Sequence, residues 1–180
     1  MEKTVTKIAI IGAESTGKTY TCKHLAKKYK TVFVKEYARE YLNKLNSGYK
    51  YSDLDKIARY QIREEEEAIN KKPQIIFFDT SILTIKIWSN FKYKKCSDFI
   101  IKACEKRKYD FYIICNNDIK WTHDPLRESK NIRHKIFNKN IEEVEKENFS
   151  ILRGTGLKRL KMAEKICEDF LKSKKQPIIN

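Results

Sequence analysis

Glycine and proline are scarce in this chain, five and three among 180 residues, and tryptophan occurs only twice. No stretch reads as a linker and no internal repeat is found, so one compact unit is expected, with at most a small appendage. No apolar run approaches the length needed to span a bilayer, and the first apolar strand falls within the first ten residues, which leaves no room for a signal peptide ahead of it. A cytoplasmic enzyme is the expectation. Cysteine is present in an odd number, at positions 22, 96, 104, 115 and 167, without any C-x-x-C spacing. That pattern argues against a disulfide framework or a zinc site and for reduced thiols, several of them buried. Arginine is the minor cation: the formal net charge is +15, yet only eight of the 39 basic residues are Arg, and the lysines are spread along the whole chain. Without a basic cluster interleaved with aromatics, the charge does not argue for a specific nucleic-acid partner.

What is present is concentrated. Four apolar residues, Ile8 to Ile11, run into Gly12, and Gly12-Ala-Glu-Ser-Thr-Gly-Lys-Thr19 fits G-x-x-x-x-G-K-[ST]. The apolar run reads as a buried strand. After Lys18, residues Cys22, Leu25, Ala26 and Tyr29 recur at helical spacing. A strand, a glycine-containing loop and a helix in this order form a phosphate cradle. Glycine lets successive backbone N–H groups face an anion, and the helix N-terminus adds its dipole. Gly12, Glu14, Ser15, Thr16, Gly17, Lys18 and Thr19 are therefore the candidate nucleotide-binding residues, with Lys18 on the β- and γ-phosphates and Thr19 on Mg²⁺.

Further along, Thr31 to Val34 reads as a second strand with Glu36 just beyond its carboxyl end, where ligands bind in open parallel α/β sheets. A long helix capped by Ser52 or Asp53 follows a turn at 46–51, and its Glu64 to Glu67 run reads as a solvent face. Gln74 to Phe78 is a third strand ending in Asp79, a candidate for holding Mg²⁺ directly or through water; Thr80 or Ser81 can cap the helix Ile82 to Ser89. A helix from Ser97 to Lys106 and a strand from Tyr109 to Cys115 lead into the longest irregular stretch, 116–129, which carries Trp121, Asp124 and Arg127, with Arg133 shortly after. It is the candidate lid, extending to about residue 133. A helix from about Ile132 to Lys146 and a strand Phe149 to Leu152 precede Arg153-Gly-Thr-Gly156. Four of the five glycines thus follow two predicted strands, and the second pair is a candidate adenine-side contact. The helix Leu157 to Lys172 closes a single domain over 1–176, with a frayed tail at 177–180.

Taken together, Gly12 to Thr19, Glu36-Tyr-Ala-Arg-Glu-Tyr41, Phe78-Asp-Thr80, Ile85-Lys-Ile-Trp-Ser89 and Trp121-Thr-His-Asp-Pro-Leu-Arg127 resemble the ribosylnicotinamide kinase domain of the NadR family, in that family's order and spacing. The resemblance implies an α/β fold of the P-loop NTPase class, three layers α/β/α, nucleoside-kinase-like, with a five-stranded parallel sheet in the order 2-3-1-4-5. It also implies ATP-dependent phosphorylation of nicotinamide riboside, a small-molecule riboside partner, with the end of the second strand at the riboside, Asp79 at Mg²⁺ and the Arg127 loop as lid. Fused members carry an upstream nucleotidyltransferase domain for which this chain has no space. Its histidines, His24, His123 and His134, form no H-x-x-H-like signature. Pro125 replaces the glycine of the fused enzymes' Asp-Gly-Leu-Arg.

These residues assign roles for in-line phosphoryl transfer. Lys18, Glu36, Asp79 and Arg127 are the catalytic candidates, Glu36 being the first choice to accept the hydroxyl proton and Asp79 the reserve. Trp88 or Trp121 can face a cationic ring. Two rivals stand beside this reading: a kinase for another nucleoside or small alcohol, and an ATP-binding regulatory or nucleic-acid-associated P-loop protein.

Overall fold

The computed structural model describes residues 4–45 and 48–175. Five strands, β1 (Thr6–Ile11), β2 (Phe33–Val34), β3 (Ile75–Asp79), β4 (Phe111–Cys115) and β5 (Phe149–Leu152), form one parallel sheet in the order β2-β3-β1-β4-β5. This is the order that the resemblance implies. The central strand β1 pairs with both β3 and β4, so its residues 8–11 are apolar and covered on both faces. Ile8 and Ile10 face one side of the sheet and Ala9 and Ile11 the other, all fully buried. The register places Ile10 beside Asp79 and Ile11 beside Ile114, which brings the carboxyl ends of three strands to one edge.

Helices cover both faces. On one, α1 (Lys18–Lys28) and α7 (Gly156–Lys175) pack Cys22, Leu25, Ala163 and Cys167 onto Ile8, Ile10 and Phe77. On the other, α4 (Ile82–Tyr93) and α6 (Arg133–Val144) pack Leu83, Ile87, Ile136 and Phe137 onto Ala9, Ile11 and Phe78. Burying side chains of this size contributes about 1.5–3 kcal/mol each, which makes the double-sided strand pattern the main determinant of the layers. A third cluster joins α3 (Tyr51–Asn70), α4 and α5 (Asp98–Lys106) through Leu54, Ile57, Ile82, Ile85 and Ile100. With α2 (Tyr37–Asn43), these helices form a wall beside the β2 side of the sheet.

Several local expectations are corrected. Helix α3 begins at Tyr51, with Lys50 as its N-cap residue; Asp53 supports that end from inside the helix, accepting the Lys50 N–H at 2.8 Å. Helix α4 runs on to Tyr93, one turn past Ser89, and ends at Lys94 in the left-handed region; Ser89 is buried within it and donates to the Lys95 carbonyl at 2.6 Å. Glu65 is not on a solvent face. It is 1 % exposed, accepts from Tyr109 Oη at 2.9 Å, and lies 3.8 Å from Arg107. Burial raises its carboxyl to about 7 against those favourable contacts. The five cysteines are free thiols, three of them buried. Among the described residues no helix is long and apolar enough to cross a membrane. Residues 46 and 47 of the expected turn, and the 177–180 tail, lie outside the described residues.

Candidate functional site

The chain leaves β1 through a loop whose shape demands glycine. Gly12 has φ +136°, and a Cβ there would lie 2.8 Å from the Cys115 carbonyl oxygen of the neighbouring strand. Gly17 has φ +76° at the N-cap of α1, where a Cβ would meet Ile119 at 2.9 Å. At Gly12 the β4 backbone closes the space to any side chain, so the loop is bent tightly against β4; at Gly17 it is the left-handed φ that favours glycine. Within it, Thr16 Oγ1 and Lys18 Nζ both donate to the Ala13 carbonyl, at 2.7 and 2.9 Å. The loop is also held from beneath. Arg159 of α7, 3 % exposed, donates to Thr16 O and Gly154 O at 2.9 Å and to Asn116 O at 3.3 Å. One guanidinium thus joins the P-loop to the ends of β4 and β5. Gly154 N–H in turn donates to Asp118, which places the second glycine pair against the segment following β4.

Two acidic residues stand at neighbouring strand ends. Glu36 is the N-cap residue of α2, half-buried, and lines a cavity of about 360 Å³ with the P-loop. Burial pushes its carboxyl above the usual range, with Lys18 opposing and Asp79 adding to the rise. Asp79, 2 % exposed, ends β3. Its carboxyl is also raised, first by burial, while a hydrogen bond with Thr19 and the Lys18 charge oppose. Its Oδ1 is buried without a partner, and it is not among the cavity-lining residues.

Residues 116–129 carry no helix or strand and are followed by a 3-10 turn, Lys130–Ile132. Pro125 occupies the second position of a turn closed by Arg127 N–H to Asp124 O at 2.9 Å, a position its fixed φ suits. The segment lies over the P-loop through side chains. Ser15 Oγ accepts the Thr122 N–H at 3.1 Å, and Arg127 Nη1 lies 3.5 Å from the same oxygen while donating to Thr122 O at 2.7 Å. Arg133 Nη2 donates to Ser15 O and Ile119 O, both at 3.1 Å. The Glu14 carboxylate is engaged by the same segment: its Oε2 accepts from Ser129 N–H at 3.0 Å and from Ser129 Oγ at 2.6 Å. Its side chain tethers the segment, which leaves only its backbone for a phosphate. Asp124 reaches across to α2, accepting from Arg39 Nη1 at 2.9 Å.

The rest of the cavity wall comes from helices. Tyr49, Gln61, Thr84, Trp88 and Asn140 line it alongside apolar side chains. Trp88 Nε1 donates to Tyr49 Oη, which fixes two aromatic rings at the cavity, and Lys92 Nζ stands 3.8 Å from the Tyr49 ring centre. Trp121 does not line the cavity; Arg133 stacks over it instead, at 5.7 Å. Gln61 Oε1 accepts the Tyr37 N–H at 2.8 Å, holding the first turn of α2 and with it Glu36. Sequence reasoning brought Gly12, Lys18, Thr19, Glu36, Asp79 and Arg127 to this edge, and the fold does gather them there. It missed Gln61, Tyr49, Asn140, Arg159 and the Arg39–Asp124 pair. Arg39 lies three residues beyond Glu36, the one-turn spacing that sets both on the cavity side.

Curated relatives include the trifunctional NAD biosynthesis/regulator protein NadR of Salmonella typhimurium, 28% identical over 149 residues, which cover 80% of this chain and 36% of that protein. The chain therefore spans little more than a third of this relative. Among solved structures, NadR protein in complex with NR superimposes with a TM-score of 0.82 at 20% identity, covering 98% of this chain and 54% of that one. A deoxyadenosine kinase from M. mycoides with bound dCTP superimposes at 0.60 and 15% identity, over 91% of this chain and all (100%) of that one. These likenesses establish the P-loop, nucleoside-kinase-like α/β/α fold. A family model described as an AAA domain matches residues 7–156, and the chain belongs to that family, AAA_28.

Proposed function

We propose that this chain is an ATP-dependent kinase that phosphorylates a riboside hydroxyl, with nicotinamide riboside as acceptor and NAD biosynthesis as its setting. The observation that carries this is the single cavity wall that runs from the P-loop through Glu36 to the paired rings of Tyr49 and Trp88. A P-loop alone needs no such extension. Tyr49 already carries the Lys92 ammonium, so the Trp88 ring is the face that suits a flat cationic ring, a contact worth about 0.5–2 kcal/mol. Similarity to NadR supports the same acceptor.

In this reading the backbone amides of residues 12–19 and Lys18 hold the triphosphate, and Arg127 and Arg133 approach it from the 116–133 lid of a single domain. Glu36 takes the acceptor's proton as its oxygen bonds to the γ-phosphorus and the bond to ADP breaks. Its place in the cavity wall, which Asp79 does not line, favours it over Asp79. Asp79 fits a different task. A buried carboxylate oxygen without a partner, next to the Thr19 hydroxyl, is a donor set suited to a hard divalent cation. Thr19 and Asp79 would hold Mg²⁺, directly or through water, and the ion would neutralise charge on the transferring phosphates. We also assign the protein to the cytoplasm, a reading supported by its five free thiols.

The test is an acceptor screen read out by ADP release. Nicotinamide riboside is expected to give the highest kcat/KM. Turnover with other nucleosides but not with this one would transfer the assignment to the rival nucleoside kinase, which the deoxyadenosine kinase likeness keeps in view.

A further inference from the structure

One polar group in the cavity wall has no part in phosphoryl transfer. Asn140, on α6, lines the cavity and is 1 % exposed. Its Nδ2 donates to the Ile136 carbonyl one turn earlier, at 2.8 Å, and its Oδ1 is buried with no partner. The carbonyl can only accept, so it fixes the orientation of the amide, with NH₂ toward Ile136 and the oxygen left as an acceptor. Reversing the amide would set two oxygens against each other. No polar group of the neighbouring helix α4 satisfies that oxygen. Thr84 takes a hydrogen bond from Thr80 Oγ1 at 3.0 Å, and Lys86, on the same helix, is paired with Glu143 at 2.7 Å. A buried acceptor in a ligand cavity, locked in that role by its own helix, calls for a donor from the ligand.

We propose that Asn140 is a specificity residue that accepts a hydrogen bond from the carboxamide N–H of the acceptor's nicotinamide ring. This rests on the nicotinamide riboside reading and extends it. The site then distinguishes the amide from its close analogues. A carboxylate in the same place offers no donor and adds charge against Oδ1, and a methyl ketone keeps the shape but loses the N–H.

The experiment compares kcat/KM for nicotinamide riboside, nicotinic acid riboside and 3-acetylpyridine riboside in the unaltered protein, in Asn140→Ala and in Asn140→Ser. The unaltered protein is expected to favour the amide over the ketone by about tenfold or more, mainly through KM, as expected when a hydrogen-bonding site meets an analogue that lacks the donor. In Asn140→Ala the amide is used less well and the gap narrows to about twofold or threefold. Equal use of ketone and amide by the unaltered protein overturns the assignment without any variant, and so does a gap that survives in both variants. If no pyridine riboside is phosphorylated while another nucleoside is, the parent reading fails and takes this one with it. Turnover of the amide without discrimination removes this inference alone.

Discussion

The two halves of the cleft are built by different means. The phosphate half is a backbone object: Gly12 is closed in by the β4 backbone, Gly17 takes a left-handed φ, and Arg159 ties one P-loop carbonyl to carbonyls that follow β4 and β5. The acceptor half is a side-chain object, assembled from α2, α3, α4 and α6 by Glu36, Gln61, Trp88 and Asn140. Backbone geometry constrains sequence locally and tightly, whereas a wall of side chains from four helices can be rebuilt one residue at a time. The phosphate half should therefore fail all at once on substitution, and the acceptor half should change its preference by degrees.

The largest effect is expected at Lys18. Lys18→Ala should lower kcat/KM by about 10³-fold or more for every acceptor alike, because it removes a charge that acts on the transferred group; full activity in a steady-state assay would remove the P-loop assignment altogether. Glu36→Gln should lower kcat by about 10²-fold or more with ATP affinity little changed, as loss of a proton acceptor does. Should Asp79→Asn instead lose nearly all kcat and Glu36→Gln little, the base and the metal ligand exchange roles. On the acceptor side, Trp88→Leu should raise KM for nicotinamide riboside by about 3- to 30-fold, the range expected for a cation–π contact, and leave KM for ATP near its original value. A parallel rise in both would blur the division between the halves.

Glu65 tests the acceptor wall through stability. Its folded carboxyl, at about 7, lies above its ordinary value of 4.5, so between those pH values the folded state binds more protons than the unfolded one. Stability from this group therefore falls as pH rises through that window, and its cost is complete above about 7. Glu65→Gln keeps the shape and drops the charge; it should raise the unfolding midpoint at pH 8 and leave it nearly unchanged at pH 4 in thermal denaturation. An equal shift at both pH values would locate the effect elsewhere. The smallest effect is expected for Asp124→Asn, which weakens a pair with the largely exposed Arg39. Exposed pairs contribute about 0–1 kcal/mol, so kcat/KM should fall by less than about tenfold with the unfolding midpoint within a degree or two.

The same division explains what could be read from residues alone. The strands and the P-loop were legible because their signals are contiguous: an apolar run, a glycine, a lysine at fixed spacing; the sheet order came only from the family resemblance. Glu36 and Asp79 followed from one rule about strand ends. Glu65 was misread because three of its neighbours in the Glu64 to Glu67 run do face solvent, and only the register of α3 against Tyr109 turns the fourth inward. Gln61 and Asn140 lie on ordinary amphipathic helices, and nothing in their local sequence separates a cavity residue from a core one. Trp121 was aromatic and close in sequence to Arg127, yet it packs under Arg133 instead of entering the cavity.

Arg159 has one more consequence, for the way the molecule opens. Its guanidinium bridges carbonyls of residues 16, 116 and 154, segments far apart in the chain, and no partial loosening of one frees the others without stranding a buried charge. The P-loop, the start of the 116–129 segment and the loop after β5 should therefore exchange their amide hydrogens as one cooperative unit. Amides of the helices that line the acceptor side should exchange by smaller local openings, and the part that grips phosphate only when the core opens.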